Sequence, residues 1–204
     1  ADQHPLAHPL VPHAAADHLN PEGGSRNFSF STRETHSELG AALTVVRSAY
    51  PKDGFFLRAE SFYNAASYID TLDEIPALSK ALSGVYGGSL HEKSHGESFL
   101  ALVQNRFRGH GLYLLDEPEA ALSPMRLLTL MGEIDRLTEA GSQFIISTHS
   151  PILMAFPGAE VLEITGAGIR SVPYRETEHF TVTRSFLENP ERMLRILLDK
   201  DAGE

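Results

Sequence analysis

Two apolar runs that end in polar residues constrain the fold of this 204-residue chain more than any other feature. The runs "GLYLLDE", 111–117, and "QFIISTHSP", 143–151, are short and uninterrupted, as in strands that are buried on both faces. Between them, "SPMRLLTLMGEIDRLTEAG" predicts a helix with a serine cap, a proline in the first turn and a final glycine. Strands that alternate with helices in this way predict an α/β fold with a mainly parallel sheet.

The flanking segments extend this pattern. A strand is predicted at 54–60, "GFFLRAE", and a helix at 96–107, "GESFLALVQNRF". After the second apolar run, "AEVLEITGAGIRSVPY" predicts a hairpin that turns at "TGAG". Two C-terminal helices follow, and the second, "NPERMLRILL", begins with an Asn cap and a proline.

The start of the chain differs from the rest in composition. Residues 1–24 contain four of the ten histidines and four of the twelve prolines, which excludes a long helix there. The histidine spacings fit no standard metal site, so we interpret residues 1–18 as an irregular His/Pro-rich arm. A single domain is expected over 19–204.

Composition excludes several classes of protein. No apolar run approaches the roughly 20 residues of a membrane span, and no leader opens the sequence. Cysteine is absent, which excludes disulfides, and the net charge of −10 argues against a generally basic nucleic-acid surface. We therefore expect a soluble cytoplasmic protein without a membrane segment, and nucleic acid is not indicated as a partner.

The acids at the end of the first run indicate where chemistry would occur. In open parallel sheets, ligands bind at the carboxyl ends of the strands, where Asp116 and Glu117 stand. One carboxylate could hold Mg²⁺ and the other could orient or deprotonate a water. For the dipeptide alone, a solvated turn with two idle acids is an equally good interpretation.

The order of motifs resembles that of ABC-type ATPases, the class that includes the SMC and RecF-like proteins. "LLDEPEAAL" followed by "IISTHS" resembles their Walker B, D-loop and switch-histidine segments. The resemblance implies that Asp116 coordinates Mg²⁺, that Glu117 is the catalytic base and that His149 contacts the γ-phosphate. It also places "AALS", which ends at Ser123, in the D-loop that lines the nucleotide.

Two further segments resemble motifs of the same class. "KSHGES", 93–98, stands where the signature motif LSGGQ is expected, and Ser94 and Gly96 match it. By that resemblance the loop would contact nucleotide bound by a second subunit, whereas a polar loop that caps a helix is the alternative. In "GFFLRAESF", Glu60 would replace the Q-loop glutamine, while Arg58 could instead form an ion pair with a nearby acid.

The resemblance covers residues 19–198 and is greatest to small stand-alone predicted ATPases of bacteria that have an ABC-type head. "NPEGGSRNFSF", "FFLRAESF" and "SHGESF" are similar to that group. The implied cofactors are ATP and Mg²⁺. The implied assembly is an ATP-dependent homodimer, or a pair with a related ATPase.

One expected motif, the phosphate-binding loop GxxxxGK[ST], does not occur in the printed sequence. The nearest segment, "GGSLHEKS", has Glu92 at the second glycine, where a carboxylate would repel phosphate. We therefore expect the first strand–P-loop–helix unit to be missing through truncation, a misread frame or true loss. A non-hydrolytic module or fragment that pairs with an intact ATPase is the alternative function.

Overall fold

A computed structural model describes residues 50–59, 62 and 94–198. The chain divides into two compact units between Thr148 and His149, and each is described separately. The predicted arm at 1–18 and Glu60 lie outside the described residues. The described elements of the first unit are β1 (Asp53–Arg58), α1 (His95–Arg106), β2 (Gly111–Asp116), a 3₁₀ helix (Pro118–Ala120), α2 (Pro124–Glu139) and β3 (Gln143–Ser147).

The three strands form a parallel sheet in the order β1–β2–β3. This confirms the predicted α/β class with a parallel sheet, whereas the missing first strand stays a prediction. At the last register position of the sheet, Arg58 pairs with Asp116, and Asp116 pairs with Ser147. The carboxyl ends of all three strands therefore meet at one edge of the sheet.

The core of this unit lies on both faces of β1 and β2, because alternate residues of each strand point to opposite faces. Phe56 and Leu114 pack together on one face, while Phe55 and Tyr113 occupy the other and are fully buried. The Phe107 ring stacks on Tyr113 at 4.0 Å and 2° between the ring planes. Helices α1 and α2 contribute further buried side chains, namely Phe99, Leu102, Val103, Leu127, Leu130, Ile134 and Leu137.

The strand predicted at 143–151 is less buried than expected. Gln143 is exposed, and the other residues of β3 are only partly covered. Within the described residues β3 pairs with β2 alone. Among the described strands β3 therefore lies at the edge of the sheet, which accounts for its partial burial, since an apolar run does not reveal which strands lie beside it.

The helix signals at 123–141 are confirmed. The Ser123 Oγ accepts a hydrogen bond from the Arg126 N–H at the start of α2, and Pro124 occupies the first turn. Gly141 follows the helix with φ of +80°, a left-handed conformation that favours glycine. The two ends of α2 therefore determine where the chain enters the helix after β2 and where it leaves the helix before β3.

A polar cluster fixes the opposite, amino-terminal edge of the sheet. Nη1 of Arg106 lies 2.6 Å from Oδ2 of Asp53, and the Tyr113 hydroxyl lies 2.9 Å from the same oxygen. Burial opposes ionisation of Asp53, but the Arg106 charge and these hydrogen bonds outweigh it and lower the pKa of Asp53. Burial, together with the neighbouring carboxylate, raises the pKa of Tyr113, so its hydroxyl stays protonated.

The second unit contains the predicted hairpin and C-terminal helices. Its elements are α3 (Pro151–Met154), β4 (Leu162–Thr165), β5 (Gly168–Ser171), a 3₁₀ helix (Tyr174–Glu176), α4 (Glu178–Glu188) and α5 (Pro190–Leu198). β4 and β5 are antiparallel, as predicted. The Asn189 side chain accepts from the Arg192 N–H, which confirms the predicted cap. Among the described helices, none combines the length and apolar character needed to cross a bilayer.

Candidate functional site

Asp116 occupies the centre of the carboxyl edge of the sheet. The residue is 4% exposed because it ends the central strand. Nε of Arg58, from the end of β1, donates to its Oδ2 at 3.2 Å. The ion pair considered for Arg58 from the sequence is therefore present, and its partner is the acid to which the resemblance assigned metal binding.

Glu117 adopts a left-handed backbone immediately after the strand, with φ of 48° and ψ of 50°. Outside glycine this conformation costs about 1–2 kcal/mol, so the surrounding structure must hold it. Its N–H donates to the Ser147 carbonyl at 3.0 Å, and its own carbonyl accepts from the Ala120 N–H at 2.9 Å. Residues outside favoured backbone regions cluster at functional sites, which is consistent with the role predicted for Glu117.

Hydrogen bonds continue beyond the last strand pairs and hold this edge together. The Ala59 N–H donates to the Asp116 carbonyl at 3.1 Å. The Thr148 hydroxyl donates to Oε2 of Glu119 at 2.8 Å. These bonds link three chain segments that are distant in sequence, at residues 59, 116–119 and 148.

The signature-like segment forms the start of α1. Oε2 of Glu97 accepts from both the Ser94 N–H, at 3.0 Å, and the Ser94 hydroxyl, at 2.7 Å. Oε1 of Glu97 lies 3.0 Å from Nη2 of Arg126 in α2. The loop therefore caps the helix, as the alternative interpretation of this segment expects.

Gly96 brings this segment against the D-loop-like segment. A Cβ added at Gly96 would lie 2.8 Å from Nη1 of Arg126 and 2.9 Å from the Ala121 carbonyl oxygen. Only a residue without a side chain allows this approach. Gly96 thus permits close contact between this segment and the one that ends at Ser123.

His149 belongs to the second unit and lies at its beginning. Its Nδ1 lies 2.9 Å from Nε2 of His179, near the start of α4. The two rings are exposed, with their centroids 5.0 Å apart. The structure thus groups Asp116 with Glu117 in the first unit, while His149 contacts a histidine that the sequence analysis did not select.

Three contributing residues were missed, and only one had a sequence signal. Arg126 stands in the first turn of α2, where the helix dipole disfavours a cation, so a nearby carboxylate could have been inferred. Glu119 and His179 follow no spacing that points to Thr148 or His149. Their contacts depend on tertiary structure alone.

The oxygen donors at the carboxyl edge fit Mg²⁺ chemically. In phosphate sites Mg²⁺ is usually held by one or two carboxylates together with waters and the substrate phosphates. Asp116 is a buried carboxylate of that kind, and Glu117 and Glu119 add acidic oxygens nearby in the chain. Among the described residues, no group of three or more His, Cys, Asp or Glu side chains forms a self-contained metal site.

Comparison with known proteins gives one match. A family model described as "AAA domain, putative AbiEii toxin, Type IV TA system" matches residues 75–155. No curated protein and no solved structure matches the chain. The family match supports a P-loop ATPase-like family and a nucleotide-binding, ATPase-like function, and the parallel sheet is compatible with that fold. The matched stretch includes Asp116, Glu117 and His149.

Proposed function

We propose that this chain is the catalytic portion of a cytoplasmic ABC-type ATPase that binds and hydrolyses ATP with Mg²⁺. The observation that carries the proposal is the junction at the end of β2. There, a buried Asp116 is followed directly by Glu117 in a left-handed conformation that main-chain hydrogen bonds maintain. This conformation is uncommon outside glycine, and residues that adopt it cluster at functional sites, which supports the proposal.

In this proposal the two carboxylates have different tasks. Asp116 would hold Mg²⁺, which supplies positive charge against the triphosphate. Glu117 would accept a proton from the attacking water and orient it for in-line attack on the γ-phosphorus. Glu119, fixed by Thr148, would help to hold the loop that follows Glu117. His149 would donate a hydrogen bond to the γ-phosphate, as the resemblance implies.

The phosphate-binding loop would be contributed by a strand–GxxxxGK[ST]–helix unit ahead of Asn20. Such a loop provides backbone donors and a Lys charge, and each charge-assisted hydrogen bond contributes roughly 1.5–3 kcal/mol. Losing two of them weakens binding by about a hundred-fold to ten-thousand-fold. The 204-residue chain should therefore bind Mg-ATP very weakly. A version extended by the strand–GxxxxGK[ST]–helix unit should bind it far more tightly.

Isothermal titration of both versions with Mg-ATP tests the proposal. We expect micromolar or tighter binding only after the unit is added. An Asp116→Asn variant of the extended version should lose Mg²⁺-dependent affinity while it keeps its fold by circular dichroism. Micromolar binding of Mg-ATP by the 204-residue chain would contradict the assignment of the phosphate site to an added strand–GxxxxGK[ST]–helix segment.

Pairing of two subunits is the second part of the proposal. Ser94 and Gly96 would contact nucleotide held by a second copy or by a related ATPase. In the extended version with Glu117→Gln, ATP should drive dimer formation, and Ser94→Arg should prevent it. Ser94→Ala controls for loss of the cap, and Ser185→Arg controls for added charge at an exposed serine in α4. A monomer at saturating Mg-ATP by light scattering would contradict the sandwich arrangement.

The alternative, a non-hydrolytic module that pairs with an intact ATPase, is favoured by one observation. Asp116 is neutralised in part by Arg58, a protein cation at the position where the resemblance expects the metal. Such a module would keep the Ser94 and Gly96 surface but would not turn ATP over after the P-loop unit is added. Binding with no turnover in the extended version would favour this alternative.

A further inference from the structure

The contact between His149 and His179 constrains where the ring protons lie. Nδ1 of His149 and Nε2 of His179 are 2.9 Å apart, a distance at which one nitrogen donates and the other accepts. A neutral imidazole carries one N–H, so the ring nitrogen used in this contact determines the state of the other. The contact therefore couples the tautomers of the two rings.

Only one direction of donation leaves His149 suited to an anion. If His149 donated through Nδ1, its Nε2 would carry a lone pair and would repel a phosphate oxygen. If His179 donates through Nε2, Nδ1 of His149 is the acceptor and the single proton of His149 is on Nε2. Nε2 of His149 is then a hydrogen-bond donor.

The position of His179 is itself fixed by the first turn of α4. Thr177 caps this helix and is 4% exposed. Its hydroxyl donates to the Tyr174 carbonyl at 2.7 Å and accepts from the Phe180 N–H at 3.3 Å. The ring of Tyr174, in the preceding 3₁₀ helix, meets the ring of Phe180, in the first turn of α4, edge to face at 5.2 Å. His179 is therefore presented from an anchored turn and not from a loose loop.

We propose that His179 is a positioning residue that donates through Nε2 to Nδ1 of His149, and thereby fixes the His149 tautomer with its proton on Nε2, the nitrogen that would donate to a phosphate. This inference rests on the proposed function, because it deepens the role given there to His149. In this proposal His179 itself contacts neither the nucleotide nor the attacking water. Its effect is to keep His149 in the form and orientation that can donate to an anion, as partners of histidine ligands do in metal sites.

Nuclear magnetic resonance of the 204-residue chain, labelled with ¹⁵N-histidine, tests the proposal directly. We expect a scalar coupling across the hydrogen bond between the two nitrogens, a proton on Nε2 of His179 and an unprotonated Nδ1 of His149. His149→Gln identifies the His149 signals among the ten histidines. A proton on Nδ1 of His149, or no coupling between the rings, would overturn the proposal.

Two variants separate positioning from mere packing. His179→Gln places an amide donor near the position of Nε2 and should keep His149 with its proton on Nε2. His179→Leu removes the donor, so His149 should become a mixture of tautomers in exchange. Glu178→Gln, at the neighbouring exposed position of α4, should leave the His149 signals unchanged. An unchanged, single tautomer in His179→Leu would contradict the assigned role.

The nucleotide chemistry can be tested apart from the histidine contact. In the extended version with a P-loop unit, His179→Leu should lower turnover by about tenfold, and His179→Gln should restore most of it. If the coupling is present but the extended version hydrolyses no ATP, the proposed ATPase function fails and the tautomer assignment stands. If turnover is normal in His179→Leu, the positioning role fails and the ATPase function stands.

Discussion

Nε of Arg58 donates to Oδ2 of Asp116 across 3.2 Å, so the acid assigned to Mg²⁺ already has a protein cation beside it. The two residues end neighbouring strands in direct register. The side chains are 17% and 5% exposed, respectively, so water screens the pair only weakly. Arg58 therefore stabilises the negative charge of a carboxylate that is buried at the sheet edge.

Removing Arg58 should destabilise the fold through Asp116. Arg58→Met leaves a buried carboxylate without this cation and should lower the free energy of unfolding by about 3 kcal/mol. Asp116→Asn in the same chain should recover part of that loss, because the amide carries no charge. Urea unfolding of the two single variants and the double variant measures the coupling.

The exposed pair of Arg184 and Glu188 provides a control for this cycle. Their side chains are 60% and 61% exposed, so Arg184→Gln should leave the unfolding free energy essentially unchanged. Strictly additive losses from Arg58→Met and Asp116→Asn would contradict the buried ion pair.

Gly96 should tolerate no side chain. Alanine there places its Cβ 2.8 Å from Nη1 of Arg126 and 2.9 Å from the Ala121 oxygen, so α1 must move from the D-loop-like segment. We expect a loss of about 1–3 kcal/mol in the free energy of unfolding, as for overpacking elsewhere. Gly132→Ala is the matched control, since no atom lies within 4 Å of the added Cβ and it should stabilise α2 by about 0.5–1 kcal/mol. Equal effects of the two substitutions in thermal unfolding would contradict the close approach at Gly96.

Stability should fall in acid partly through Asp53. Because the pKa of Asp53 is lowered in the folded state, its contribution is present above the ordinary value of 3.8 and disappears as pH falls through the folded-state pKa. The difference in unfolding free energy between the native chain and Asp53→Asn should therefore be constant near neutral pH and shrink below about pH 4. A difference that does not change down to pH 2.5 would show that Arg106 and Tyr113 do not favour the charged form.

The sequence predicts most of the local structure because local signals determine it. The ends of α2, the hairpin and the Asn189 cap follow from residues close together in the chain, and all three are confirmed. The parallel sheet follows from the alternation of apolar runs with helices. The partial burial of β3 does not follow, since it depends on which strands lie beside it.

The site is predictable in its motifs but not in its contacts. Asp116 and Glu117 are prominent because charge follows an apolar run, yet nothing near them in sequence reveals the left-handed turn at Glu117. Arg58 becomes the partner of Asp116 only through the strand register. His149 and His179 are brought together by the fold of the second unit, and no spacing between them is typical of a functional pair.

ATP turnover by the version with a P-loop unit, compared between Glu117 and Glu117→Gln, tests the central claim most directly. The amide keeps the size of the side chain but cannot accept a proton from water. The account predicts that Glu117→Gln lowers kcat by about 10²–10⁴-fold while Mg-ATP affinity stays within a few-fold of the unsubstituted chain. Equal turnover of the two proteins would contradict the role of Glu117 as catalytic base, and with it the chemistry assigned to the end of β2.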